Sequence, residues 1–210
     1  MTPEFHIAET TGRDFPLHLV EEISHRVANE YAEAIAGLSL AAAGSPRCEV
    51  KQALRAAAER LHAHAESHRA LLPPIQGQVN LADHVGRLCS AFSKATLADR
   101  QVRLAVETDD IWLASDRAWR IGLAVAELVR NAARHGLRGR AGAIVVQVAL
   151  AGDEVVCSVG DDGVAASAVQ PGRGVSLVQA LAMELGGSVE WWFSQRGSVA
   201  RLRAPIDARS

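Results

Sequence analysis

The sequence predicts an α+β fold: an antiparallel helical hairpin that pairs with a second copy into a four-helix bundle, then an α/β sandwich with helices on one face of a sheet. Three observations predict it. Two consecutive stretches in the first third carry apolar residues at helical spacing and are separated by Gly44-Ser45-Pro46-Arg47. Adjacent prolines, Pro73 and Pro74, end that pattern. Beyond them, helical and alternating segments follow one another in mixed order.

The first helix is predicted from Leu17 to about Ala43. Val20, Val27, Ala34 and Ala41 recur every seven residues, and Tyr31 and Leu38 form a second row beside them. That is the stripe of a helix packed on other helices. Gly44 and Pro46 stop it and permit a reversal. The second helix carries Leu54, Ala58, Leu61, Ala65, His68 and Leu72 in steps of four and three. Two helices alone make a poor core, so a homodimer closing a four-helix bundle is expected. Pro73 and Pro74 forbid continuation and set a boundary, giving one unit over residues 1–75 and another over 76–210. In the second unit, residues 81–95 read as a helix and Arg100 to Thr108 as a strand. Ser115 is expected to cap a long helix reaching about His135, with Asp116 in its first turn. Residues 142–163 read as two strands joined at Gly152 and Asp153. A helix follows from about Gly174 to Leu185, and a last strand pair turns near Gln195 to Gly197. Trp191 and Trp192 in that pair are expected to be one core and one surface residue.

At 210 residues the chain is long enough for one or two domains. Its formal net charge is −2, with both signs scattered, which argues against a dedicated nucleic-acid or anionic-membrane surface. Cys48, Cys89 and Cys157 lie far apart, without zinc spacing, and read as buried thiols in a reducing compartment. The N-terminal twenty residues lack a basic start followed by an apolar run. No charge-free stretch reaches the roughly 20 residues a membrane span needs. A cytoplasmic protein is expected.

Four groups of residues carry possible chemistry. On the heptad of the first helix, His25 falls outside the apolar seam and faces solvent, with Asn29 one turn further on the same face. Alone this is weak, because exposed histidines on helices are common. In the predicted helix 115–135, Glu127, Asn131 and His135 follow at four-residue steps, flanked by Arg134. A carboxylate and an amide oxygen one turn apart suit a hydrated Mg²⁺ that also holds phosphates, and Arg134 and His135 could reach phosphate oxygens. A solvated amphipathic face would look the same. Asp161 ends a strand and Gly163 lets the chain turn. A buried carboxylate there can accept from an exocyclic amine such as adenine's, although a plain Asp-Gly turn has this sequence too. Gly172 and Gly174 precede a helix whose free N–H groups favour phosphate.

Taken in this order, the residues resemble a known family. His25-Arg26-Val27 with Asn29, Glu127-Leu128-Val129 with Asn131 and His135, Asp161 with Gly163, and Gly172 with Gly174 resemble the H, N, G1 and G2 boxes of sensor histidine kinases. The nearest subclass has a phosphoacceptor box reading His-Arg-Val-Lys-Asn-Asn. The resemblance runs from about Leu17 through nearly the whole chain. It implies a dimerisation and phosphotransfer domain over residues 1–75 and a catalytic ATP-binding domain of the histidine-kinase, gyrase and Hsp90 type over 76–210. It further implies that His25 is the phosphoacceptor and that Asn29 orients transfer. Asn131 would hold Mg²⁺, Glu127 would be its partner or a base, Asp161 would bind the adenine amine, and Gly172 and Gly174 would flank the ATP lid. The implied partner is a response-regulator receiver domain, whose aspartate takes the phosphoryl group.

The chain departs from the pattern at Ala28 (lysine in the subclass), Glu30 (its second asparagine) and Ala165 (often a glycine). Only eight residues without charge separate Gly163 from Gly172. These departures admit a second reading, a histidine phosphotransferase that shuttles phosphoryl groups without ATP. A third is a binding module resembling anti-sigma factors, which share the ATP-binding fold but usually lack the hairpin. His64 and His68 are spaced as a metal pair could be, with no third ligand evident.

Overall fold

The computed structural model describes residues 17–74, 77–97, 100–164 and 172–207. Helices α1 (Leu17–Gly44) and α2 (Cys48–Ala70) pack as an antiparallel hairpin. The ring of Tyr31 lies 6.5 Å from that of His68, which fixes the register between them. Among the described hairpin residues only Ala42 and Ala58 are buried, and Ala34, Ala41 and Leu40 of α1 are exposed. Within a single chain the α1 stripe is thus uncovered at Ala34 and Ala41 and half-covered at Val27, Tyr31 and Leu38.

After Pro74 the chain forms β1 (Gln78–Asn80), α3 (Leu81–Phe92), β2 (Val102–Thr108), β3 (Trp112–Ala114), α4 (Ser115–Asn131), β4 (Gly142–Ala151), β5 (Glu154–Asp161), α5 (Arg173–Glu184), β6 (Ser188–Ser194) and β7 (Gly197–Pro205). A five-stranded sheet runs β2-β4-β5-β7-β6; β2 and β4 are parallel and the other neighbours antiparallel. The short β1 and β3 pair separately. Burial alternates along β5, where Val155, Cys157, Val159 and Asp161 are buried. The buried row meets Ala118, Ile121, Val125 and Leu128 of α4 and Val178, Leu181 and Ala182 of α5. Among the described residues no helix covers the opposite face, and the domain is an α/β sandwich. The β4–β5 connection is the two-residue turn expected from Gly152-Asp153, with Ala151 facing Glu154 and Gly152 at φ +63. The last pair turns over Gln195 and Arg196, between Ser194 and Gly197.

Two local expectations need correction and a third is refined. Ser115 is the first helical residue rather than the cap; extended Ala114 precedes it, with no side-chain cap bond, because β3 runs directly into α4. The helical run does reach His135, but its form changes: the α-helix closes at Asn131, and residues Ala132–Gly136 continue as a wider π-turn in which the Leu137 N–H donates to the Ala132 carbonyl. Cys48 is exposed, whereas burial pushes the Cys89 and Cys157 thiols up to about 12.

Two buried polar side chains tie the layers. Arg117 of α4 donates through Nη2 to the carbonyls of Leu185, just past α5, and of Pro205, at the end of β7. His84 of α3 packs on Gly122 of α4, where a Cβ would stand 2.5 Å from its Nε2. That imidazole is 3% exposed and its Nε2 has no partner among the described residues. Burial, aided by Arg87, lowers its pKa from 6.5 to about 4. The unfolded chain therefore binds a proton that the folded chain resists. This contribution to stability is present above about pH 6.5 and is lost as pH falls through about 4, by about 3 kcal/mol. Urea unfolding at pH 7.5, 5 and 4 checks it, and His84→Leu is expected to flatten that acid limb. An unchanged pH slope in the variant would remove His84 as its source.

Candidate functional site

A cleft of about 680 Å³ opens between the C-terminal end of α4, the N-terminal end of α5 and the strands β5, β7 and β6. Of the residues singled out in the sequence, Glu127, Asn131, Arg134, His135, Asp161, Gly172 and Gly174 all line it. They come from three segments far apart in the chain, so the sheet and its two covering helices bring them together.

The α4 wall follows from helical spacing. With Ala124, Val125 and Leu128 turned into the core, Glu127 and Asn131 fall on the flank facing the cleft. Glu127 is 9% exposed, and its Oε2 lies 2.6 Å from Arg130 Nη1. Its other oxygen lies against the backbone of α5, where a Cβ on Gly174 would stand 2.0 Å from Glu127 Oε1. Gly174 thus lets a carboxylate and a helix N-terminus share one end of the cleft. The π-turn then carries Arg134 and His135 to the rim, where both are exposed.

At the other end Asp161 is fixed from several sides. Its Oδ1 accepts the Gly163 N–H at 2.9 Å, and its Oδ2 accepts the Ser198 hydroxyl at 2.5 Å. A Cβ on Gly136 would stand 2.3 Å from Oδ1, and one on Gly163 would stand 2.1 Å from the Gly136 carbonyl oxygen. Gly163 does not line the cleft; it is buried behind Asp161, which sets its role as a spacer. Asp161 is 9% exposed and lines the cleft. A buried carboxylate already holding two donors is oriented to take a third from a ligand N–H.

Arg130, Arg138 and Arg173 also line the cleft and give its mouth positive character, although the segment after Gly163 carries no charge of its own. These cations, with Arg134, suit an anionic group such as a phosphate chain. Asn131 offers an amide oxygen beside them, and with Glu127 it is the donor set here that fits Mg²⁺. Among the described residues no cluster of three His, Cys, Asp or Glu could hold a metal ion alone, so a cation here would share its ligands with phosphate oxygens and water.

The family model for the histidine kinase-like ATPase domain matches residues 17–203. The chain belongs to that family. The match covers α1 and α2 as well as the sandwich. The chain is 29% identical over 199 residues to the sensor histidine kinase PdtaS of Mycobacterium tuberculosis strain H37Rv, covering 90% of this chain and 40% of that protein. It is 28% identical over 200 residues to PdtaS of Mycolicibacterium smegmatis, covering 91% and 40%. The chain therefore spans about two fifths of the length of these curated relatives. Among solved structures it is similar to the histidine kinase domain of the Erythrobacter litoralis EL346 blue-light activated histidine kinase, with TM-score 0.60, 18% identity, and coverage of 86% of this chain and 94% of that one. The Acinetobacter baumannii histidine kinase AdeS gives TM-score 0.55 at 16% identity, covering 90% and 98%. At such identities the likeness is one of fold.

Within the histidine kinase-like ATPase frame, His25 and Asn29 stand apart: both are exposed on α1 and neither lines the cleft. Ala165 lies outside the described residues. Reading the sequence missed Gly136, Ser198, Trp191 and Phe193, all of which line the cleft. Gly136 directly follows the His135 already singled out and could have been found there. The other three lie on β6 and β7, and only the strand order β5-β7-β6 brings them beside Asp161. Trp191 packs on the core and also lines the cleft, while Trp192 is exposed beneath Arg201, 5.0 Å from its guanidinium carbon. Among the described residues no helix is long and apolar enough to cross a membrane.

Proposed function

We propose that the chain is the kinase core of a two-component system, autophosphorylating His25 from ATP and passing the phosphoryl group to a receiver-domain aspartate. The observation that carries this reading is the gathering of Glu127, Asn131, Arg134, His135, Asp161, Gly172 and Gly174 in one cleft. A carboxylate for an amine at one end and a helix N-terminus with arginines at the other match the two ends of an adenine nucleotide.

Asp161 accepts from the adenine amine. Arg134, His135 and the N–H groups at the start of α5 hold phosphates, and Asn131 with Glu127 holds Mg²⁺, which supplies charge neutralisation on the phosphate oxygens. The His25 imidazole attacks the γ-phosphorus; the bond to the bridging oxygen breaks, ADP leaves and the imidazole proton passes to solvent or base. Because His25 and the cleft are separate in one chain, the step requires a swing about the Pro73-Pro74 segment or a second protomer. The uncovered Ala34, Ala41 and Leu40 on α1 support a homodimer closing a four-helix bundle. On this reading residues 1–75 are the dimerisation and phosphotransfer domain, residues 76–210 the ATP-binding domain, and Asn29 orients the transfer.

Calorimetric titration with ADP or ATP, with and without Mg²⁺, tests the cleft. Micromolar, Mg²⁺-enhanced binding is expected. In Asn131→Ala, autophosphorylation is expected to vanish while transfer from an already phosphorylated partner persists. No nucleotide binding by the wild-type chain would replace this reading with the phosphotransferase one.

A further inference from the structure

The floor of the cleft consists of two cross-strand rows. Asp161 of β5 faces Ser198 of β7, which faces Phe193 of β6; in the next row Val159 faces Ala200, which faces Trp191. All six line the cleft. The middle residues on β7 are small and those on β6 are large aromatics, so the floor is a trough bounded by Asp161 and Val159 on one side and by two rings on the other. Neighbouring strands lie about 4.8 Å apart, which places the aromatic edge roughly 10 Å from the carboxylate, a span that a purine and its contact distances fill. Phe193 is half-buried, yet it is not packed against the central core, unlike Val189 and Trp191 of the same strand. An aromatic side chain facing a cleft without core cover is suited to pack on a flat apolar ligand.

Resting on the nucleotide reading above, we infer that Phe193 and Trp191 form an aromatic wall that packs on the purine base and supplies base-dependent affinity opposite Asp161. The wall restrains the base from the sheet side, independently of the segment that follows Gly163. Its occupant is therefore a nucleoside with an amino-bearing purine, and the arginines at the mouth contribute nothing to this part of the recognition.

The test separates base from phosphate. ADP and inorganic tripolyphosphate are titrated by calorimetry into the wild-type chain, Phe193→Ala and Trp191→Ala. Base packing on an aromatic ring is worth about ten- to hundredfold in affinity. Each variant is expected to lose at least about tenfold for ADP and to bind tripolyphosphate as the wild type does. Because Trp191 also packs on the core, Phe193→Ala is the primary variant, with its thermal midpoint measured alongside. Trp191→Phe restores a ring and is expected to regain ADP affinity while losing the tryptophan fluorescence change that ADP causes in the wild type. Wild-type ADP affinity in a folded Phe193→Ala, or equal losses for ADP and tripolyphosphate, would overturn the wall. A wild-type chain that binds no ADP at all would instead overturn the nucleotide reading.

Discussion

Replacing His25 by alanine is expected to bring labelling by γ-labelled ATP and Mg²⁺ down to background while leaving ADP affinity intact. The two halves of this prediction rest on different parts of the molecule. His25 is exposed on α1, where its imidazole is open to an incoming phosphoryl donor and can act as the nucleophile. It does not line the cleft, so its removal takes away the acceptor without touching the donor site. Wild-type label should be acid-labile and base-stable, as a phosphorylated imidazole is. Undiminished label in His25→Ala would move the acceptor elsewhere, with the exposed His62 and His64 on α2 as the next residues to substitute.

The second large effect is expected at Asp161. In Asp161→Asn, the Gly163 N–H and the Ser198 hydroxyl still point at the side chain, but the amide supplies one accepting oxygen where the carboxylate supplied two. With that oxygen taken by the Gly163 N–H, the N–H₂ group donates to Ser198 Oγ, and a ligand amine meets an N–H₂ group where it met a carboxylate oxygen. Losing a charge-assisted hydrogen bond to the ligand and setting donor against donor amounts to about 3 kcal/mol, or on the order of a hundredfold in ADP affinity. Gly136→Ala should reach the same result by another route, because its Cβ would stand 2.3 Å from Oδ1 and force the carboxylate out of place. Calorimetric titration with ADP, with thermal midpoints measured in parallel, checks both. Wild-type affinity in a folded Asp161→Asn would remove this carboxylate from base recognition.

What the sequence made legible follows the range of the interactions. The hairpin helices, the Gly152-Asp153 turn and the amphipathic run of α4 depend on residues within a turn or two of each other, so periodicity and turn chemistry disclose them. The three-residue strands β1 and β3 are too short to show alternation, and they pair across more than thirty residues of chain. The parallel register of β2 on β4 is equally non-local. The site divides in the same way. Glu127, Asn131 and His135 announce themselves by spacing along one helix. Ser198 and Phe193 look like ordinary strand residues until the sheet order sets them beside Asp161. The π-turn after Asn131 was hidden for another reason: its sequence is good helix, and the extra residue per turn reflects where Gly136 must sit against Asp161.

The buried guanidinium of Arg117 has one more consequence. It grips the carbonyl just beyond α5 and the last residue of β7 together, so the C-terminal end of α5 is bolted to the sheet. The opposite end of that helix begins at Arg173 with no side-chain cap and lies against Glu127 at one end of the cleft. α5 is thus a lever with a fixed fulcrum at Leu185. A displacement at Gly174 when the cleft fills can be met by rotation about that point, which moves the cleft end most and the core end least.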